Sequence, residues 1–194
     1  MRVFIAVLVL IFSLQSWTKA DDIRDFEIEG MSIGDSLLDY FTKNEIKLNP
    51  ETNTYIYPNS DKYILWNIKS SNLKLNKFDG IQFHYKKNDS KYLIESIDAH
   101  IYFFENIRDC YPKKREIYND IIKLFPNIKV RNENIIHSLN KDSKVEQSSW
   151  TFSDRHRLIL ECYDWSPDMP YGDKLSLSIT SEILNDWLNN EAYN

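Results

Sequence analysis

The chain has 194 residues, with 24 Lys and Arg against 29 Asp and Glu for a formal net charge of −5. That balance excludes the basic footprint needed to bind nucleic acid or an anionic lipid surface. Its only glycines, Gly30, Gly34, Gly80 and Gly172, are too scattered to build a phosphate loop or a dinucleotide fingerprint, which excludes nucleotide chemistry of those kinds.

Arg2 is followed by an uncharged apolar run from Val3 to Leu14, then Ser16-Trp17-Thr18-Lys19-Ala20 and the acidic pair Asp21-Asp22. Residues 1–20 therefore read as a secretory signal peptide, with Thr18 and Ala20 at the small-residue positions of the cleavage site. The run falls short of the roughly 20 residues that cross a bilayer, and the first cysteine is Cys110, which leaves nothing for lipid attachment. The expected product is a periplasmic or secreted soluble protein with no stable membrane insertion after cleavage. Without Arg2 and Lys19 it carries 22 basic and 29 acidic side chains, a charge of −7. Residues 21–194 are expected to form a single α+β domain, large enough to bury roughly 70% of the surface of its unfolded chain. An oxidising compartment makes Cys110 and Cys162 a disulfide pair. Such a loop of about 50 residues is worth about 4 kcal/mol in the chain-entropy model.

Phe26-Glu27-Ile28-Glu29 alternates as a short strand. Ser32 then opens a predicted helix, with Asp35 completing a capping box and Ile33, Leu37, Leu38 and Phe41 on one face. Residues 47–61, with Pro50 and Pro58, read as a long connection. The apolar run 63–68 is a strand, and Ile81, Phe83 and Tyr85 alternate in a second. After the turn Lys87-Asn88-Asp89-Ser90, residues 91–104 return with Leu93, Ile97, Ala99, Ile101 and Phe103 on one side. Pro112 suits the first turn of a second helix, in which Ile117, Ile121 and Leu124 repeat until Pro126 stops it. The polar stretch 131–149 is expected to be a mobile excursion. Strands follow at 150–152, 157–162 and 175–179, and a closing helix places Ile183, Leu184, Trp187 and Leu188 on one face. These elements predict an antiparallel sheet of about six strands with three helices packed mainly on one face. The order helix then strands occurs twice, over 32–104 and 112–180, without residue identity between the halves.

Two hydrolase signatures overlap at residues 30–40. Gly30-Met31-Ser32-Ile33-Gly34 fits G-x-S-x-G, but an elbow serine follows a buried strand inside an established sheet, and Ser32 has only about a dozen mature residues before it. Gly34-Asp35-Ser36-Leu37 resembles the leading block of the GDSL esterases and lipases. That family's G-x-N-D and D-x-x-H blocks are missing, which leaves Ser36 without a general base. A small serine hydrolase using Ser36 or Ser32 is therefore the alternative, and no catalytic residue is assigned. His84 and His100 fall on polar strand faces, with Asp98 beside His100, while His137 lies in the polar excursion and His156 near a turn. No metal motif and no cofactor site is present. The proline-containing loop around Trp165 and Tyr171 mixes aromatic and acidic side chains, the composition that binds a sugar, a cation or a protein partner.

The stretch 26–41, "FEIEGMSIGDSLLDYF", resembles the opening strand, turn and helix of exported α+β modules such as the SmpA/OmlA outer-membrane assembly proteins and the β-lactamase inhibitor protein. The resemblance implies a small module that works by binding other proteins, and the chain departs from SmpA/OmlA in having no lipid-attachment cysteine. The composition, rich in Ile, Lys and Asn, is similar to that of many exported bacterial proteins. The reading is a non-enzymatic binding module of the cell envelope, with an envelope protein or a small ligand as partner and Trp165 and Tyr171 as its site.

Overall fold

The computed structural model describes residues 23–47, 55, 57–69, 75–104 and 106–193. The expected signal peptide and part of the 47–61 connection lie outside them. Among the described residues seven strands form one sheet: β1 (Tyr63–Lys69), β2 (Gly80–Lys86), β3 (Ile94–Tyr102), β4 (Val130–Ile136), β5 (Lys144–Thr151), β6 (Arg157–Asp164) and β7 (Lys174–Thr180). Their order is β1-β2-β3-β7-β6-β5-β4, with every neighbouring pair antiparallel. With α1 (Lys43–Lys47), α2 (Cys110–Leu124) and α3 (Glu182–Trp187) the fold is α+β. The halves meet at β3 and β7, the last strand of each, and each half runs outward from that junction as a meander.

Strand alternation gives the sheet two faces. Trp66, Phe83, Ile97, Leu177, Leu160 and Trp150 are buried on one of them, under the N-terminal segment and α2. The disulfide between Cys110 and Cys162, with Cα atoms 6.1 Å apart, fixes the start of α2 on β6. Helix α2 ends before Pro126, with Phe125 already outside helical dihedrals, because the residue before a proline is pushed out of the α region. On the opposite face, Trp187 of α3 packs on Tyr63 and Tyr57, and with Leu184 and Ala192 they make a second, small core. Two helices thus share the main face and α3 covers one end of the other. Ser181 caps α3 and Arg155 pairs with its Glu182 and Asp186. Ile183 leaves the expected apolar stripe and is exposed.

Three expectations are corrected. The sheet has seven strands instead of about six, because 131–149 is not a mobile excursion: it holds most of β4 and most of β5, paired without a register break. β4 is an edge strand with little buried surface on either face, so it needs no apolar alternation and shows none. The expected strand at 26–29 contributes a single bridge, Ile28 to Met31, across a tight turn with Glu29 and Gly30 at positive φ. The Glu29 carboxylate accepts the backbone N–H groups of Asn76 and Lys77, which anchors that turn. The helix expected from Ser32 is also absent. Gly34 lies at φ +90, its N–H donates to the Ile94 carbonyl, and the Leu37 N–H donates to Tyr92. The segment hydrogen-bonds to the approach to β3 instead of to itself, leaving one 3-10 turn at Leu37–Asp39 capped by Ser36. A capping box does form one step later, where Thr42 and Glu45 exchange bonds at the start of α1.

Candidate functional site

Three connections converge at one end of the sheet: the segment after β3, the β4–β5 hairpin loop and the β6–β7 loop. Their backbones are tied together. The Phe103 N–H donates to the Asp173 carbonyl, the Trp165 N–H to the Asp173 carboxylate, and the Ser166 N–H to the Ser143 hydroxyl. Burial raises the Asp173 pKa, an effect that the bond from Trp165 opposes. Gly172 packs closely against Phe104: a Cβ there would sit 2.8 Å from the ring, so a side chain at this position would displace Phe104.

Two groups of ring contacts lie over this tip, with Gly172 between them. Tyr102 stacks on Phe104 at 5.2 Å, and Phe104 lies against Gly172, next to Tyr171. Tyr171 meets Trp165 at 4.8 Å, and Trp165 in turn contacts His137 at 4.6 Å and stacks on Tyr163 at 5.5 Å. The Leu139 N–H donates to the His137 ring. Phe104 is 79% exposed, Leu139 67% and Tyr171 51%. The structure thus brings Trp165 and Tyr171 together, but as unequal members: Tyr171 is presented to solvent while Trp165 is fenced by three rings.

Behind the rings lies a buried polar layer. The Lys174 ammonium sits 5.2 Å above the Tyr163 ring and 3.4 Å from His100 Nδ1. His100 Nδ1 is also 3.4 Å from the Asp98 carboxylate, which accepts the Ser176 hydroxyl at 2.6 Å. Glu161 accepts from Gln147 and from the Tyr163 hydroxyl. Burial is the first cause at each group: it raises the Glu161 and Tyr163 pKa values and lowers those of His100 and His137. In the pair of Asp98 and His100 the histidine is buried and the carboxylate half-buried. Two buried ring nitrogens, Trp165 Nε1 and His100 Nε2, have no hydrogen-bond partner among the described residues.

The two serines of the hydrolase alternative are committed elsewhere. The Ser32 hydroxyl donates to the Phe26 carbonyl, and the Ser36 hydroxyl donates to Lys91 while accepting from Leu38. Their candidate bases have other partners: His84 lies between Tyr57 and Ser96, His156 beside Asp154, and His100 and His137 in the layer just described. Among the described residues no group of His, Cys, Asp or Glu could hold a metal ion, and no helix is long and apolar enough to cross a membrane.

Sequence reasoning missed Phe104, Tyr102, His137 and Leu139 as parts of this site. Phe104 carried a signal, since it falls on the polar phase of the strand alternation, where a large aromatic is out of place. Leu139 carried none. No protein family, curated protein or solved structure matches the chain.

Proposed function

We propose that this protein is a non-enzymatic binding module of an exported compartment, periplasmic or secreted, that recognises another protein through the aromatic tip, with Tyr171 as contact and Trp165 as its support. The observation that carries this reading is the run of exposed Phe104, Tyr171 and Leu139 on loops braced by backbone hydrogen bonds. Rigid, amphipathic aromatic side chains that project at low entropy cost are the groups that dominate protein interfaces. Large apolar side chains exposed together at one end of a sheet support an interaction site.

The test is site-specific photocrosslinking in cells that secrete the protein, with benzoylphenylalanine at Phe104, Tyr171 or Leu139 and, as control, at the exposed Ile183 of α3. One discrete adduct from the three tip positions, absent from Ile183 and lost on Trp165→Ala, is expected. Equal adducts from tip and control positions, or none from the tip, would overturn the assignment.

A further inference from the structure

A second site lies away from the tip, and it follows from where α2 stops covering the sheet. Ile117 and Ile121 lie on the face of α2 that packs into the main core, and the Cys110–Cys162 bridge holds the helix start over β6. Beyond this line the same face of β5 and β4 carries Glu146, Ser148, Asn132 and Asn134 instead of apolar side chains. The result is a cleft of about 580 Å³ between helix and hairpin, within the size range of small-molecule sites.

Its walls and floor differ in chemistry. Tyr111 and Tyr118, seven residues apart on α2, line the helix side, and a spacing of two turns keeps them on one helix face. Lys114 lies between them. Its side chain is only 7% exposed, and Glu146, at 3.0 Å, is its one partner among the described residues, which leaves ammonium protons unused. Arg115 on the rim is exposed and makes no ion pair with the described residues. The Ser148 hydroxyl donates to Asn132 Oδ1, so the Asn132 amide nitrogen keeps its donors, and Asn134 adds a second amide two residues on. Of the two carboxylates that line the cleft, Glu146 is paired with Lys114 and Glu133 with Arg131, so Arg115 is the lining cation with no carboxylate against it among the described residues. Ring faces, amides with free donors and carboxylate acceptors are the complement of a pyranose, whose C–H face packs on aromatic rings and whose hydroxyls both donate and accept.

We infer that this cleft binds an acidic saccharide, a pyranose ring bearing a carboxylate that pairs with Arg115 and Lys114 while the ring lies against the tyrosines. The inference is independent of the tip and survives or fails without it. The test is backbone amide NMR titration of the intact protein with D-galacturonate and D-glucuronate, with D-galactose and acetate as controls, up to about 50 mM because single sugars bind weakly. Saturable shifts confined to α2 and the β4–β5 hairpin are expected for an acidic sugar, with galactose and acetate each weaker by about tenfold or more. Arg115→Gln and Asn134→Ala, both at exposed positions that leave the fold intact, should each weaken the acidic sugar by about tenfold. Equal response to galactose would remove the charge selection, and equal response to acetate would remove the saccharide. No saturation with either acid, or full binding by Arg115→Gln, would overturn the site.

Discussion

His84 is the residue whose protonation state the fold dictates most firmly. Its ring lies between the Tyr57 hydroxyl at 2.5 Å and the Ser96 hydroxyl at 2.7 Å. Burial pushes its pKa down from 6.5 to about 4, against a smaller opposing pull from Asp98. The unfolded chain therefore takes up the proton first as pH falls. The contribution of His84 is fully present above pH 6.5 and is lost as pH falls toward 4. That loss amounts to about 3 kcal/mol at roughly 1.4 kcal/mol for each unit of displacement. Thermal unfolding followed from pH 7.5 to 4 should show a flat Tm above 6.5 and a steep decline below it, and His84→Gln should make that decline shallower. Identical slopes in both proteins would refute the linkage. His100, lowered for the same first cause, adds to the slope in the same direction. At this scale the sequence is legible only in part. Gly34 looked like a flaw in a helix, and it is explained by the left-handed φ of a turn bonded to the approach to β3. No local pattern could announce a partner 60 residues away.

The elements divide by how much they bury. β2, β3, β6 and β7 carry apolar alternation because one of their faces lies in the core, and each was visible in the sequence. α2 announced itself through Pro112, its apolar repeat and Pro126. β4 was invisible because it is held mainly by backbone bonds to β5. Its alternation can be tested directly. The His137 N–H donates to Ser143 at the hairpin end, so the N–H groups of Arg131, Glu133 and Ile135 point at β5 and those of Asn132, Asn134 and Ile136 point outward. Hydrogen exchange should be at least about tenfold slower for the first set than for the second. Uniformly fast exchange across 131–136 would restore the mobile loop.

On the scale of the whole molecule, the design is a sheet with one face committed to a core and three loops gathered at one end. The disulfide, the α+β class and the grouping of Trp165 with Tyr171 were all within reach of the sequence. The tip was not, because it is assembled from segments around residues 104, 139 and 171 that only strand order brings together. The β3–β7 junction places the segment after β3 beside the β6–β7 loop, and β5 brings in the hairpin loop. Under the proposed function this assembled surface, and neither serine, carries the binding. The most direct measurement is the affinity of the crosslinked partner, once purified, for the wild-type protein, Trp165→Ala and Tyr171→Ala, each checked for an unchanged disulfide and melting behaviour. We expect both substitutions to weaken binding by about tenfold or more, the loss typical of an interface anchor. Unchanged affinity in both variants would contradict the account.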